Sequence, residues 1–174
     1  MNKIVGLDLS LNSTGICVMT EESVYTESIT PGKNQDRNDR VNDILTAILM
    51  HVDTDTVVFI EDYAYAAFPG SSSVTILAEI NGIIKHDLWT KLIPYHTVPP
   101  TTIKKFLTGS GKAKKEDMKL KGYIKYGREF RTSDEVDAYV LADIGSLLFK
   151  LRDRSLTMTE EETLKKLRVT CFPA

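Results

Sequence analysis

The chain has 174 residues, is 42% hydrophobic and 26% charged, and carries a formal net charge of −2 with a sequence pI near 5.9. A length of this order suits one domain with a real core, and no apolar run reaches the ~20 residues that span a bilayer, which excludes a membrane-spanning helix. The opening Met1-Asn2-Lys3-Ile4-Val5-Gly6 meets Asp8 before a secretory apolar region can form, and Cys17 and Cys171 lie far apart without metal-ligand spacing, so a reducing cytoplasm is the expected setting. Ile4 to Ser10 and Thr14 to Met19 are short apolar runs on either side of Asn12-Ser13, the pattern of a β-hairpin. Val24 to Ile29 alternates with a period near two and ends before Pro31-Gly32, a third antiparallel strand. Val41, Ile44, Leu45, Ile48 and Val52 recur at helical spacing and predict a helix over 36–51. Val57-Val58-Phe59-Ile60 is a continuous β-branched and aromatic run, as in a central strand covered on both faces.

Beyond a loop containing Pro69-Gly70-Ser71, the positions Ile76, Leu77, Ile80, Ile83, Ile84 and Leu88 predict a long helix over roughly 72–91, with Ala78 and Gly82 four apart on it. Leu92 to Val98 reads as a strand, followed by a brief helix that stops at Gly109. Lys112 to Tyr126 reads as a helix ending near Gly127, Ser133 to Leu151 as the last strong helix, and 159–168 as a short charged one. Three meandering strands followed by strands alternating with helices predict an α/β protein of the ribonuclease H-like fold. Its sheet would be mixed and five-stranded, three antiparallel strands and then parallel ones, with helices on both faces. Residues 1–152 would form the nuclease-like domain and 153–174 a C-terminal helical extension.

Asp8 stands inside the first strand among Ile4, Val5, Leu7 and Leu9, where an ionised carboxylate is costly unless paired or bound to metal. The plain alternative is an edge aspartate bonding the following turn. Glu61 closes the central run at its carboxyl end, where α/β sheets bind ligands but where water also begins. Strand alternation sends Asp62 to the opposite face. On the last helix Val136, Val140, Ile144, Leu147, Leu148 and Leu151 form an apolar stripe. Asp137 falls inside it and Asp134 at its margin, whereas Glu135 points away and is expected to be solvated. A helix-start role with Thr132 or Ser133 as cap accounts for Asp134 but not for an acid facing the core at 137. Acids converging from these elements would repel one another unless hard divalent cations neutralised them, and two such ions ~3.5–4 Å apart suit phosphodiester hydrolysis.

The segment 103–131 holds ten basic residues, Lys104, Lys105, Lys112, Lys114, Lys115, Lys119, Lys121, Lys125, Arg128 and Arg131, against Glu116, Asp117 and Glu129. It therefore carries +7 and the remainder −9, so the mild net acidity does not exclude a nucleic acid. A charge run is ordinarily a solvated face. A polyanionic substrate explains the segregation, with Lys104, Lys105, Lys112, Lys114, Lys115 and Lys119 as candidate DNA contacts around the turn Gly109-Ser110-Gly111. Tyr63, Tyr65 and Phe68 follow Glu61 and are either packing residues or a stacking surface for an exposed base. His51, His86 and His96 show no ligand spacing, and no GxSxG elbow occurs.

In order and spacing, these pieces resemble the RuvC family of Holliday-junction resolvases from Ile4 to about Leu148. Gly6-Leu7-Asp8-Leu9-Ser10 with Thr14-Gly15 resembles the family's opening, Ile60-Glu61 its I-E, Gly109-Ser110-Gly111 with Lys115 its G-x-G…K, and Asp134-Glu135-Val136-Asp137-Ala138 its D-x-x-D-A. The shortness of the chain resembles RuvC-like proteins of bacteriophages. The resemblance implies a homodimeric endodeoxyribonuclease that nicks four-way or other branched DNA and leaves 5′-phosphate and 3′-hydroxyl ends. It implies two Mg²⁺ ions per site, with Mn²⁺ as a substitute, held by Asp8, Glu61, Asp134 and Asp137. Water would be activated between Asp8 and Asp137, the leaving oxygen stabilised between Asp8 and Glu61, and transition-state charge met by Lys115. The dimer contact would involve the helix over 72–91. Where the family has an aromatic three residues after the glutamate, this chain has Ala64. Three alternatives share the pattern: a nuclease for RNA or hybrids, a single-domain relative of the actin and sugar-kinase ATP-binding fold, and a non-catalytic DNA-binding accessory.

Overall fold

Alternation along two neighbouring strands decides how this molecule is layered. The computed structural model describes residues 2–63 and 72–167, apart from the Ser73 side chain. In chain order the elements are β1 (Lys3–Asp8), β2 (Thr14–Met19), β3 (Val24–Ile29), α1 (Arg37–Leu49), β4 (Thr56–Glu61), α2 (Ser72–Thr90), β5 (Tyr95–Val98), α3 (Pro100–Thr108), α4 (Lys115–Tyr126), α5 (Ser133–Leu148) and α6 (Met158–Lys166). The strands lie in the order β3-β2-β1-β4-β5, with β1–β2 and β2–β3 antiparallel and β1–β4 and β4–β5 parallel. Ile4, Val57 and Phe59 face one way and pack with Phe106, Met118, Val136, Val140 and Ile144 from α3, α4 and α5. Val5, Leu7, Val58 and Ile60 face the other way and pack with Ile44 and Ile48 of α1 and Ile80, Ile84 and Leu88 of α2. The predicted mixed α/β sheet with helices on both faces is thus the observed one.

Among the boundaries that differ from the expectation, as where the helix expected from Lys112 begins at Lys115, two have a clear local reason. The strand predicted from Leu92 begins at Tyr95. Leu92 instead turns the chain out of α2 with φ 57 and is 70% exposed, while the Ile93 amide donates to Leu88 O at 2.9 Å. The last long helix ends at Leu148 and not at Leu151. The Leu151 amide folds back onto Ser146 O at 2.8 Å and its side chain is buried, so the apolar period continues past the helix that it seemed to extend.

The placement of α5 depends on missing side chains. A Cβ on Gly6 would sit 2.1 Å from the Ala138 carbonyl oxygen, and one on Gly15 would sit 2.1 Å from that of Asp134. Backbone meets backbone there, so the start of α5 lies directly against β1 and β2. The chain beyond α5 is tied down by a half-buried ion network. Arg154 donates to Asp143 and Glu160 at 2.7 Å each, Lys125 pairs with Glu160 at 2.6 Å, and the Tyr126 hydroxyl donates to Asp143 at 2.9 Å. Lys125 also lies over the Phe106 ring, 4.2 Å from its centroid, so α3, α4, α5 and α6 meet at one place.

Candidate active site

Asp8 follows Ile4 and Gly6 on the α5-facing side of β1, and Glu61 follows Val57 and Phe59 on the same side of β4. The parallel register pairs Leu7 with Ile60, so the next residues, Asp8 and Glu61, emerge side by side at the carboxyl ends of adjacent central strands. Helix α5 begins over this edge. The Thr132 hydroxyl caps it by accepting from the Glu135 amide at 3.2 Å, and Asp134 and Asp137 follow one turn apart. One carboxylate oxygen from each of Asp8, Glu61 and Asp137 lies within 4.8 Å of the others. Asp134 stands beside this trio, its two oxygens accepting from the hydroxyls of Ser13 and Ser133. Ser13 was not foreseen as a partner; its only sequence signal is its place in the polar turn after Asp8.

The acids hold charge reluctantly. Burial first, then the neighbouring Glu61, pushes Asp8 well above the usual carboxylate range. Burial also raises Glu61, with Asp137 adding to it and the hydrogen bond to Asp8 opposing it. Asp137 is pushed up to about 7 by burial and by Asp8 and Asp134, against the attraction of Lys104 and Lys115. Its Oδ1 is buried without a hydrogen-bond partner among the described residues. An orphaned carboxylate oxygen beside two crowded acids fits an all-oxygen site for a hard divalent cation.

Comparison with known proteins bears on this arrangement. The family model for the crossover junction endodeoxyribonuclease RuvC matches residues 4–142, which include all four acids. The chain belongs to the RuvC family. By that membership it is a crossover junction endodeoxyribonuclease. Among solved structures, Thermus thermophilus RuvC matches with a TM-score of 0.63 at 19% identity, covering 80% of this chain and 90% of that one. T. thermophilus RuvC in complex with a Holliday junction substrate matches with a TM-score of 0.63 at 17% identity, over 82% and 90%. The yeast mitochondrial Holliday junction resolvase Ydc2 matches with a TM-score of 0.56 at 11% identity, over 94% and 80%. At these identities the structures show the shared ribonuclease H-like fold. A search of curated proteins gives no match.

In this RuvC-family chain the basic segment is not one surface. Lys104 and Lys115 line the carboxylate cleft, of about 490 Å³. Lys105 lines a separate cavity and lies 3.7 Å from Glu162. Lys112 and Lys114 border a groove with Lys121, and Lys119 donates to Arg131 O at 3.1 Å. Lys125 is committed to the ion network, and Arg128 donates to Thr26 on β3 at 3.1 Å. Tyr63 is half-buried with Lys85 Nζ 5.4 Å above its ring, while Tyr65 and Phe68 lie outside the described residues. Asp62 stays outside the acidic trio and accepts from the Tyr63 amide at 3.0 Å. Glu135 corrects its expectation: it is 3% exposed, because its carboxylate turns back to accept from the Arg131 amide at 2.9 Å.

The acids make stability depend on pH. Asp137 titrates at about 7 in the fold against 3.8 ordinarily, so the folded protein binds its proton more tightly than the unfolded chain. That contribution is complete below pH 3.8 and is lost as pH rises through about 7. In chelator at pH 8, Asp137→Asn is expected to melt several degrees above the wild type, a gain on the order of 2 kcal/mol. Divalent cation should narrow the difference by stabilising the wild type alone. Thermal melts at pH 5 and pH 8 check this; equal melting at pH 8 would contradict the burial of an ionised acid at 137.

Proposed function

We propose that this crossover junction endodeoxyribonuclease resolves four-way or otherwise branched DNA by metal-dependent hydrolytic nicking, leaving 5′-phosphate and 3′-hydroxyl ends. The meeting of Asp8, Glu61 and Asp137 within 4.8 Å, beside Lys104 and Lys115, carries the proposal. Asp8, Glu61 and Asp137 would hold two Mg²⁺ ions, with Asp134 completing the set and Mn²⁺ able to substitute. Bound there, such ions activate water and stabilise charge on the departing oxygen. Lys115 and Lys104, which line the same cleft, bring positive charge to the phosphodiester and meet the charge that grows on it during attack. Glycines 6 and 15 keep α5 against the sheet, which fixes the distance between the strand acids and the helix acids.

Residues 1–152 would carry the chemistry, and 153–174 would be an extension strapped on by the Arg154 network. The chain would act in the cytoplasm as a homodimer, joined through the outer face of α2. Ile83 and Trp89 are 38% and 54% exposed on that helix, Leu92 just beyond its end is 70% exposed, and Gly82 has open space above it. Among the described residues no helix is long and apolar enough to cross a membrane. Labelled four-way, three-way, flap and linear duplex DNA and an RNA–DNA hybrid, each with Mg²⁺, Mn²⁺ or chelator, test the proposal. Nicks in the four-way substrate with either metal and none in chelator are expected. Equal cleavage of linear duplex, or preferred cleavage of an RNA–DNA hybrid, would overturn it.

A further inference from the structure

The cleft has a second wall that neither the acids nor the lysines account for. It is built from the turn between β1 and β2, whose Ser10, Leu11 and Asn12 line the same cleft as Lys104 and Lys115. The turn is fixed internally: the Ser10 amide donates to Thr14 Oγ1 at 3.1 Å, the Thr14 hydroxyl donates to Ser10 O at 2.8 Å, and the Asn12 amide donates to Ser10 Oγ at 3.3 Å. From outside, Arg40 at the start of α1 reaches over it. Arg40 Nη1 donates to Asn12 Oδ1 at 2.9 Å and Nη2 to Gly32 O at 3.4 Å, while its buried Nε has no hydrogen-bond partner among the described residues.

A guanidinium has only donors, so whatever amide end it holds must be the oxygen. Arg40 therefore fixes the Asn12 carboxamide with Oδ1 toward itself and leaves the NH₂, a pure donor, as the free end. Asn12 itself is exposed and lines the cleft. Granted the nuclease function proposed above, we propose that Asn12 donates to a non-scissile phosphate oxygen of the bound strand, and that Arg40 is its positioning residue. The strand is then held both by ammonium groups and by an oriented amide within the cleft that holds the acids.

Asn12→Asp separates this role from a structural one. The carboxylate keeps the shape and pairs more strongly with Arg40, but it presents an anionic oxygen where the amide presented a donor. The expected result is an unchanged or raised melting temperature together with a roughly tenfold rise in Kd for a four-way junction, measured in Ca²⁺, and in KM in Mg²⁺, at nearly unchanged kcat. Asn12→Ala should weaken binding less. Arg40→Met should weaken it about as much as Asn12→Ala, with little further loss in the double variant, because both remove the same oriented donor. Junction binding by Asn12→Asp equal to wild type, or losses from Arg40→Met and Asn12→Ala that multiply, would overturn the assignment while leaving the nuclease function standing. A wild-type protein that neither binds nor cleaves the junction would overturn both.

Discussion

Asp8→Asn should abolish cleavage, lowering the single-turnover rate by about a thousandfold or more, while the protein still folds and still binds a junction. Asp8 meets both other members of the trio: it lies beside Glu61 on the neighbouring strand and opposes Asp137 from the helix. The amide keeps the volume of the side chain but removes its charge and turns one oxygen into an NH₂ that repels a cation. Burial already raises the Asp8 pKa, so its neutral replacement should not destabilise the metal-free fold. Glu61→Gln should behave alike, because Glu61 is the next partner in the same crowded set. Cleavage of a labelled junction under single turnover, paired with binding in Ca²⁺, measures both halves. Either variant cleaving within tenfold of wild type would remove that residue from the chemistry.

Gly6→Ala should be nearly as damaging through a different route. The added methyl would meet the Ala138 carbonyl oxygen at 2.1 Å and the Ala142 nitrogen at 2.7 Å, both backbone atoms of a buried helix. No rotamer change relieves such a contact, so α5 must move off the sheet. A loss of ~3 kcal/mol or more is expected, at the upper end of overpacking costs. Because Asp134 and Asp137 ride on the same helix, cleavage should fall at least about tenfold even where the variant remains folded, since misplacement of ~1 Å is enough. Gly15→Ala, meeting Asp134 O at 2.1 Å, should repeat the pattern closer to the acids. Denaturant midpoints and cleavage rates at a permissive temperature test it; a wild-type midpoint in both variants would mean that α5 is not held by this contact.

What the sequence made legible follows from what a pattern can carry. Short apolar runs, alternation at β3 and helical periodicity set β1 through β4 and most helices, because such patterns run along the chain itself. Asp8 and Asp137 stood out because each interrupts an apolar pattern that predicts burial, and the structure has both half-buried. Glu135 was misread for the complementary reason. Its angle on the helix points away from the apolar stripe, but a first-turn carboxylate can turn back and satisfy amides in the preceding loop, here that of Arg131. The lysines were the least legible. Ten cations in a row on paper are distributed by α3, α4 and the intervening turn into a cleft, a separate cavity, a groove and the interior. The contacts of Gly6 and Gly15 with α5 join residues more than a hundred positions apart, and no local pattern announces them.

The half-buried ion network has a consequence for how such a protein senses salt. Lys125 and Arg154 already have their counterions covalently supplied by Asp143 and Glu160 of the same chain. A DNA strand docking nearby displaces no dissolved ions from them, and mobile electrolyte screens a buried pair far less than an exposed one. Only the cations left facing water take part in the ion exchange that makes DNA affinity fall with ionic strength. The protein thus keeps its framework insensitive to electrolyte while its grip on DNA stays adjustable by it, although the same residue types serve both.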